Sequence, residues 1–225
     1  MTGDALTLLR LLQLSDSNFP SGGFAFSNGL ETLANEEALR DAADIESYLR
    51  DQLAARWATF DRWFLAAAHA AGDDIGALGE LDWLCEAQSS VASLAAASRR
   101  MGRAMLSSHQ RIGTPFAVSY LTALREGAVP GHLPVVQGLI ADALELPRAS
   151  AEASALYQLV SAGLTAAVRL GRLGALEAQS VYTALAPRLA EILLAAPPAE
   201  PHAFTPLGDI AAMRHADHAT RLFAA

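Results

Sequence analysis

The sequence predicts an all-α protein, and three observations carry that prediction. Hydrophobic residues make up 52% of the chain while aromatics make up only 7%. Alanine and leucine dominate, and both favour helix over strand. Apolar residues recur at spacings of three and four along most segments, and the period-two alternation of a half-buried strand is absent. The expected architecture is a single-domain bundle of about eight to ten helices closed by a C-terminal tail helix.

Leu6 to Leu14 form a first apolar helix that stops in Ser15-Asp16-Ser17-Asn18. Phe19 to Gly29 read as a loop, because Pro20 removes a backbone donor and Gly22 and Gly23 permit positive φ. Leu30 to Leu39 resume a helical pattern. From about Asp44 to His69 the residues Ile45, Tyr48, Leu49, Leu53, Trp57, Phe60 and Phe64 gather on one helical face, with Asp41 or Asp44 as its cap. Gly72-Asp73-Asp74 breaks the pattern. A short helix near Ile75–Glu86 and a longer one near Ser90–Ile112 follow. Thr114-Pro115 looks like an N-cap and first helical residue, and Pro134 repeats that signal after a break at Gly127–Pro134. Helices are expected at Val135–Leu144, Ala149–Leu170 and Leu176–Ala195, with a tight joint at Arg169–Gly174. Pro197-Pro198 then opens a Pro-rich tail, in which Thr205-Pro206 starts a short helix reaching about His218. This divides the chain into a helical domain, residues 1–196, and a tail, residues 197–225.

Composition also excludes chemistry. The net charge is −8 and every one of the 16 basic residues is arginine. An acidic chain repels phosphate backbones, so nucleic acid is not an expected partner. Without lysine there is no P-loop and no Schiff base. The single cysteine, Cys85, forms neither an intramolecular disulfide nor a multi-cysteine metal site and reads as buried. No stretch is long and apolar enough to span a bilayer, and the N-terminus lacks a signal-peptide pattern, so a cytoplasmic location is expected.

Three groups could carry chemistry. Ala25-Phe26-Ser27-Asn28-Gly29 approaches the nucleophile elbow of a serine hydrolase. That elbow needs a strand before it, so Ser27 as a helix N-cap is preferred. His215 and His218 stand three residues apart on the tail helix, a spacing that can chelate a divalent transition ion such as nickel. His69, His109 and His132 suggest no cluster. Arg99, Arg100 and Arg103 form a basic patch, read first as a salt-bridging face and second as a docking point for an acidic partner.

Four segments, in order, resemble the urease accessory protein UreF family. Ser15 to Glu31 resembles its N-terminal signature, with Pro20, Gly22, Gly23, Ser27 and Glu31 matching. Ser98-Arg99-Arg100-Met101-Gly102-Arg103 resembles an internal segment. Arg169, Gly171, Gly174 and Gln179 match a third. Asp209, Arg214 and His215, followed by Arg221-Leu222-Phe223, match the terminus. Arg172, Ala178 and Ala216 depart from the usual proline, glycine and glutamate. The resemblance implies an all-α homodimer without catalytic activity or cofactor. It implies association with UreD (also called UreH) and the GTPase UreG, acting on apo-urease during GTP-dependent nickel insertion. The matching residues are then candidate partner contacts or fold-fixing positions.

Overall fold

The computed structural model describes residues 2–22, 27–215 and 222–223. Asp41 starts the central rod by accepting the backbone N–H groups of Ala43 and Asp44, each at 3.0 Å. The rod comprises helix α3 (Ala42–Gln52), a π-helical segment (Leu53–Asp61) and helix α4 (Arg62–Ala71). Its seven predicted face residues are all buried. The π segment is not visible in the sequence, because Leu53, Trp57, Phe60 and Phe64 keep α-helical spacing. Widening the turn leaves carbonyls open to other donors. Those of Ala55 and Thr59 accept the backbone N–H groups of Phe204 and His202 at 2.9 and 3.1 Å. The tail is thereby strapped along the rod.

The remaining helices assemble around this rod. They are α1 (Thr2–Ser15), α2 (Leu30–Asn35), α5 (Ile75–Gln88), α6 (Ala92–Arg111), α7 (Ala117–Arg125), α8 (Leu133–Ala143), α9 (Arg148–Arg169), α10 (Ala175–Leu194) and α11 (Pro206–Arg214). Helices α4 and α8 make the closest pair. A Cβ on Gly138 would collide with the Leu65 carbonyl oxygen and lie 2.8 Å from the His69 nitrogen. Among the described residues there is no strand and no helix long and apolar enough to cross a membrane. The all-α, single-domain expectation therefore holds. Cys85 is buried, and that burial pushes its thiol pKa up.

Pro134 and Pro206 open α8 and α11 as expected. Other boundaries differ. Helix α2 stops at Asn35 rather than Leu39, where Glu37 turns to φ +58°. Its N-cap position is Gly29, at φ +86°, and not Ser27. Helix α7 starts at Ala117, behind Phe116 in a left-handed conformation. Thr114 does not cap it, because its hydroxyl bonds inward to His109 Nδ1 at 2.9 Å. Helix α11 ends at Arg214, and residues 216–221 lie outside those described.

Arg62 joins three elements. Its guanidinium is 2.8 Å from Glu152 of α9, and it donates to the carbonyls of Ile192, Leu193 and Ala195 at 2.7–3.0 Å. It thus satisfies carbonyls that the end of α10 leaves open. Both charged side chains are buried. Removing Arg62 leaves the buried Glu152 carboxylate with only the half-exposed Arg148, 3.4 Å away, as a counter-charge. Arg62→Met is therefore expected to cost about 3–5 kcal/mol in urea denaturation; a loss below about 1 kcal/mol would contradict this account.

Candidate site where the tail meets the signature loop

Glu31 occupies the first turn of α2 and is only 3% exposed. One carboxylate oxygen accepts His215 Nε2 at 2.8 Å and the Phe223 N–H at 3.1 Å, and the other accepts the Leu222 N–H at 2.6 Å. Phe223 is buried, with the Arg169 guanidinium 4.4 Å from its ring centroid. Residues from the first, third and last signature segments therefore meet at one junction. Burial acts to raise the Glu31 pKa. Hydrogen bonds from Leu222, His215 and Phe223 outweigh it and hold the carboxyl below its ordinary value.

The inner face of α11 is small because the approach is close. A Cβ on Gly29 would lie 2.8 Å from the Gly208 carbonyl oxygen, and one on Gly208 would lie 2.9 Å from the Tyr48 hydroxyl. That hydroxyl donates to the Asn28 carbonyl at 2.5 Å. Ala211 and Ala212 are fully buried, and Ser93 donates to the Ala212 carbonyl at 3.1 Å. Asp209 Oδ1 accepts the Thr205 hydroxyl at 3.1 Å, and Arg214 reaches Glu36 at 3.2 Å.

Other signature residues lie elsewhere in the fold. Pro20 and Gly22 belong to a loop seated on α6, where the Ser108 hydroxyl donates to the Pro20 carbonyl at 2.9 Å. Gly23 lies outside the described residues. Gly171, at φ +70°, turns the α9–α10 joint, Gly174 caps α10, and Gln179 is exposed on it. Arg172 donates from that joint to the Ala34 carbonyl of α2.

Two further groups had little sequence signal. Asp82 is fully buried and accepts the Tyr120 hydroxyl at 2.7 Å and the N–H groups of Gly131 and His132 at 2.6 and 2.8 Å. Burial raises its pKa, against those bonds. Nearby, Glu86 receives both His132 Nε2 at 2.6 Å and Arg99, while Ser98 contacts His132 Nδ1 and the Leu133 N–H, both at 3.1 Å. A Cβ on Gly102 would collide with the Gly131 carbonyl oxygen. The internal signature thus locks α6 to the turn before α8. An acidic residue inside the apolar run Leu81-Asp82-Trp83 was the available clue. The second group is His109, 2% exposed, with the Phe19 ring 4.8 Å away. Its Nε2 has no hydrogen-bond partner among the described residues, and burial lowers its pKa to about 4.

Behind the junction lies a cavity of about 190 Å³ whose wall includes Ser27, Gln52, Arg56, Asp61, Gln137 and Phe223. No histidine lines it among the described residues, so it offers Ser27 no imidazole base. His215 directs its Nε2 at Glu31, and His218 lies outside the described residues. No group of three metal-ligating side chains occurs among those described.

The fold and junction define an all-α protein that closes its own C-terminal tail onto its N-terminal signature. The family model described as UreF matches residues 39–186. A urease accessory protein UreF of Cereibacter sphaeroides is 35% identical over 219 residues, covering 96% of this chain and 97% of the relative. Those of Trichodesmium erythraeum and Haemophilus influenzae are each 31% identical, covering 100% and 95% of this chain and 99% and 93% of the relatives. The chain belongs to the UreF family.

Two pH responses follow. Because the folded pKa of Glu31 lies below its unfolded value of 4.5, its contribution is complete above that value and is lost as pH falls through the folded one. Hydrogen exchange should show the Leu222 and Phe223 amides protected at neutral pH and released on acidification. Glu31→Gln should release them about tenfold or more even at neutral pH; unchanged protection would refute the clasp. His109 has a linkage of the same sign in a higher pH window. Its lowered pKa makes stability fall between 6.5 and about 4. His109→Leu should remove about 2 kcal/mol of the loss seen on acidification to that range. Identical pH–stability curves for the two proteins would contradict that assignment.

Proposed function

We propose that the chain is a non-enzymatic urease maturation factor. In this reading it acts with UreD and the GTPase UreG on apo-urease during GTP-dependent nickel insertion, and it works as a homodimer in the cytoplasm. Family membership gives the direction. The observation that carries the reading is the two-faced tail helix. Gly208, Ala211 and Ala212 face the protein's own core, whereas Leu207, Ile210 and Met213 are 51%, 50% and 54% exposed. Exposed apolar residues at that spacing suit capture in a partner's groove. Residues 197–225 then form the partner-binding tail of a helical domain spanning 1–196. Pro20, Gly22, Ser27, Gly171 and Gly174 serve chiefly to fix the backbone. Glu31, Arg169 and His215 hold the tail, with Asp209 and Arg214 adding contacts on α11.

The test is co-expression with UreD. Deleting residues 205–225 should abolish co-purification while far-UV circular dichroism stays helical. The triple variant Leu207→Ser, Ile210→Ser, Met213→Ser alters only the outward face and should lose UreD with little loss of stability. Co-purification at the wild-type level by that triple variant would exclude the tail as the principal contact.

A further inference from the structure

Helix α6 carries a second surface that the tail does not use. At 100° per residue, positions 96, 100, 103, 107 and 111 fall within about 80° of arc. The opposite side is buried through Ala95, Gly102, Met105, Leu106 and His109. Arg99 closes one margin of the open strip by pairing with Glu86. The signature loop closes the other, where a Cβ on Gly22 would rest 3.2 Å from the Ala104 methyl and Ser108 holds Pro20. Between these margins stand Arg100, Arg103 and Arg111, all exposed, with the small side chains of Ala96 and Ser107 among them. Arg100 and Arg111 are separated by about 16 Å along the axis.

Two arginines of this strip stand out by their pairing. Among the described residues nine arginines form ion pairs with carboxylates: those at 10, 40, 50, 56, 62, 99, 148, 188 and 214. Arg103 and Arg111 pair with none of those residues, in a chain with eight more acidic than basic residues. Self-pairing is the common fate of an arginine here, and Arg103 and Arg111 depart from it, as does the exposed Arg125 of α7. At its carboxyl end Ile112 and Phe116 are 56% and 44% exposed, and Phe116 is held at φ +59°. Bulky residues rarely adopt that conformation, and such strain collects at functional sites.

We infer that this strip docks an acidic segment of a partner protein, with carboxylates against Arg103 and Arg111 and an apolar side chain against Ile112 and Phe116. Guanidinium forks suit bidentate carboxylates, and Ala96 and Ser107 let a partner backbone come close. A basic row on a molecule of net negative charge also orients an acidic partner, since the overall charge disfavours approach elsewhere. Nucleic acid fits poorly, because the rest of the surface would repel its phosphates. The inference rests on the reading of the chain as a protein-binding factor.

The test co-expresses the full chain with UreD, UreG and apo-urease and compares wild type, Arg103→Glu/Arg111→Glu and Arg103→Lys/Arg111→Lys. The charge reversal is expected to reduce capture of one partner at least about tenfold. Tail-dependent capture of UreD and the thermal midpoint should stay unchanged. The lysine pair, which keeps the charge and loses the bidentate fork, should fall between wild type and the reversal, and wild-type capture should weaken as salt rises. Full capture of every partner by the reversal variant overturns the strip and leaves the maturation reading standing. Absence of any capture by wild type brings down both. Salt-sensitive binding of a DNA duplex by the wild-type chain alone, lost on reversal, would reassign the strip to nucleic acid and overturn the inference. A changed sedimentation mass of the reversal variant alone would assign it to a second copy, with the same consequence.

Discussion

The Arg62 guanidinium is the constraint on which much of the rest depends. It sits where α4 begins and reaches both Glu152 of α9 and the last carbonyls of α10. A buried ion pair of this kind contributes little net stability compared with an apolar replacement, but breaking it is costly. Its value here is positional. By binding the carbonyls of Ile192, Leu193 and Ala195 it fixes where α10 stops and in which direction the chain leaves. The tail then meets the open π-segment carbonyls of Ala55 and Thr59 and is led towards Glu31. The π segment and the clasp are thus consecutive supports for one strand of irregular chain.

This explains why widely separated signature segments share one junction. Glu31 and Phe223 are 192 positions apart, yet the carboxylate accepts the Phe223 N–H. A single buried carboxylate suits this role because it accepts several donors at once, and charge-assisted bonds are stronger than neutral ones. Arg169 adds the guanidinium over the Phe223 ring. Gly29 adds clearance for the Gly208 carbonyl. Charge, ring and clearance cooperate in holding a helix whose outward face stays apolar.

Local signals were legible in the sequence and long-range ones largely were not. Asp41, Pro134 and Pro206 marked helix starts because capping and proline geometry act within one turn. Thr114-Pro115 misled for a reason outside that turn: the threonine hydroxyl serves His109 instead. Ser27 misled because Gly29 can take the left-handed conformation required at the start of α2. The π segment was hidden because one altered hydrogen-bond register leaves the apolar spacing intact. The resemblance brought Glu31, Arg169 and His215 forward as candidates, but no local pattern says that they touch. Asp82 and His132 escaped because their partners, Tyr120 and Ser98 among them, lie far away in the chain.

The same comparison separates two kinds of signature residue. The internal segment is mostly consumed by the fold, since Ser98 serves His132 and Leu133, Arg99 serves Glu86, and Gly102 admits the Gly131 carbonyl. Within the same six residues Arg103 points out and pairs with no described carboxylate. One stretch of helix therefore does two jobs, divided by helical phase: the positions facing α5 and α8 fix α6 in place, and the positions between them and the signature loop stay exposed. Loop and strip are coupled through Pro20 and Gly22, which pack on α6 beside the arginines. A change in the loop would thus be felt at the strip without altering any arginine.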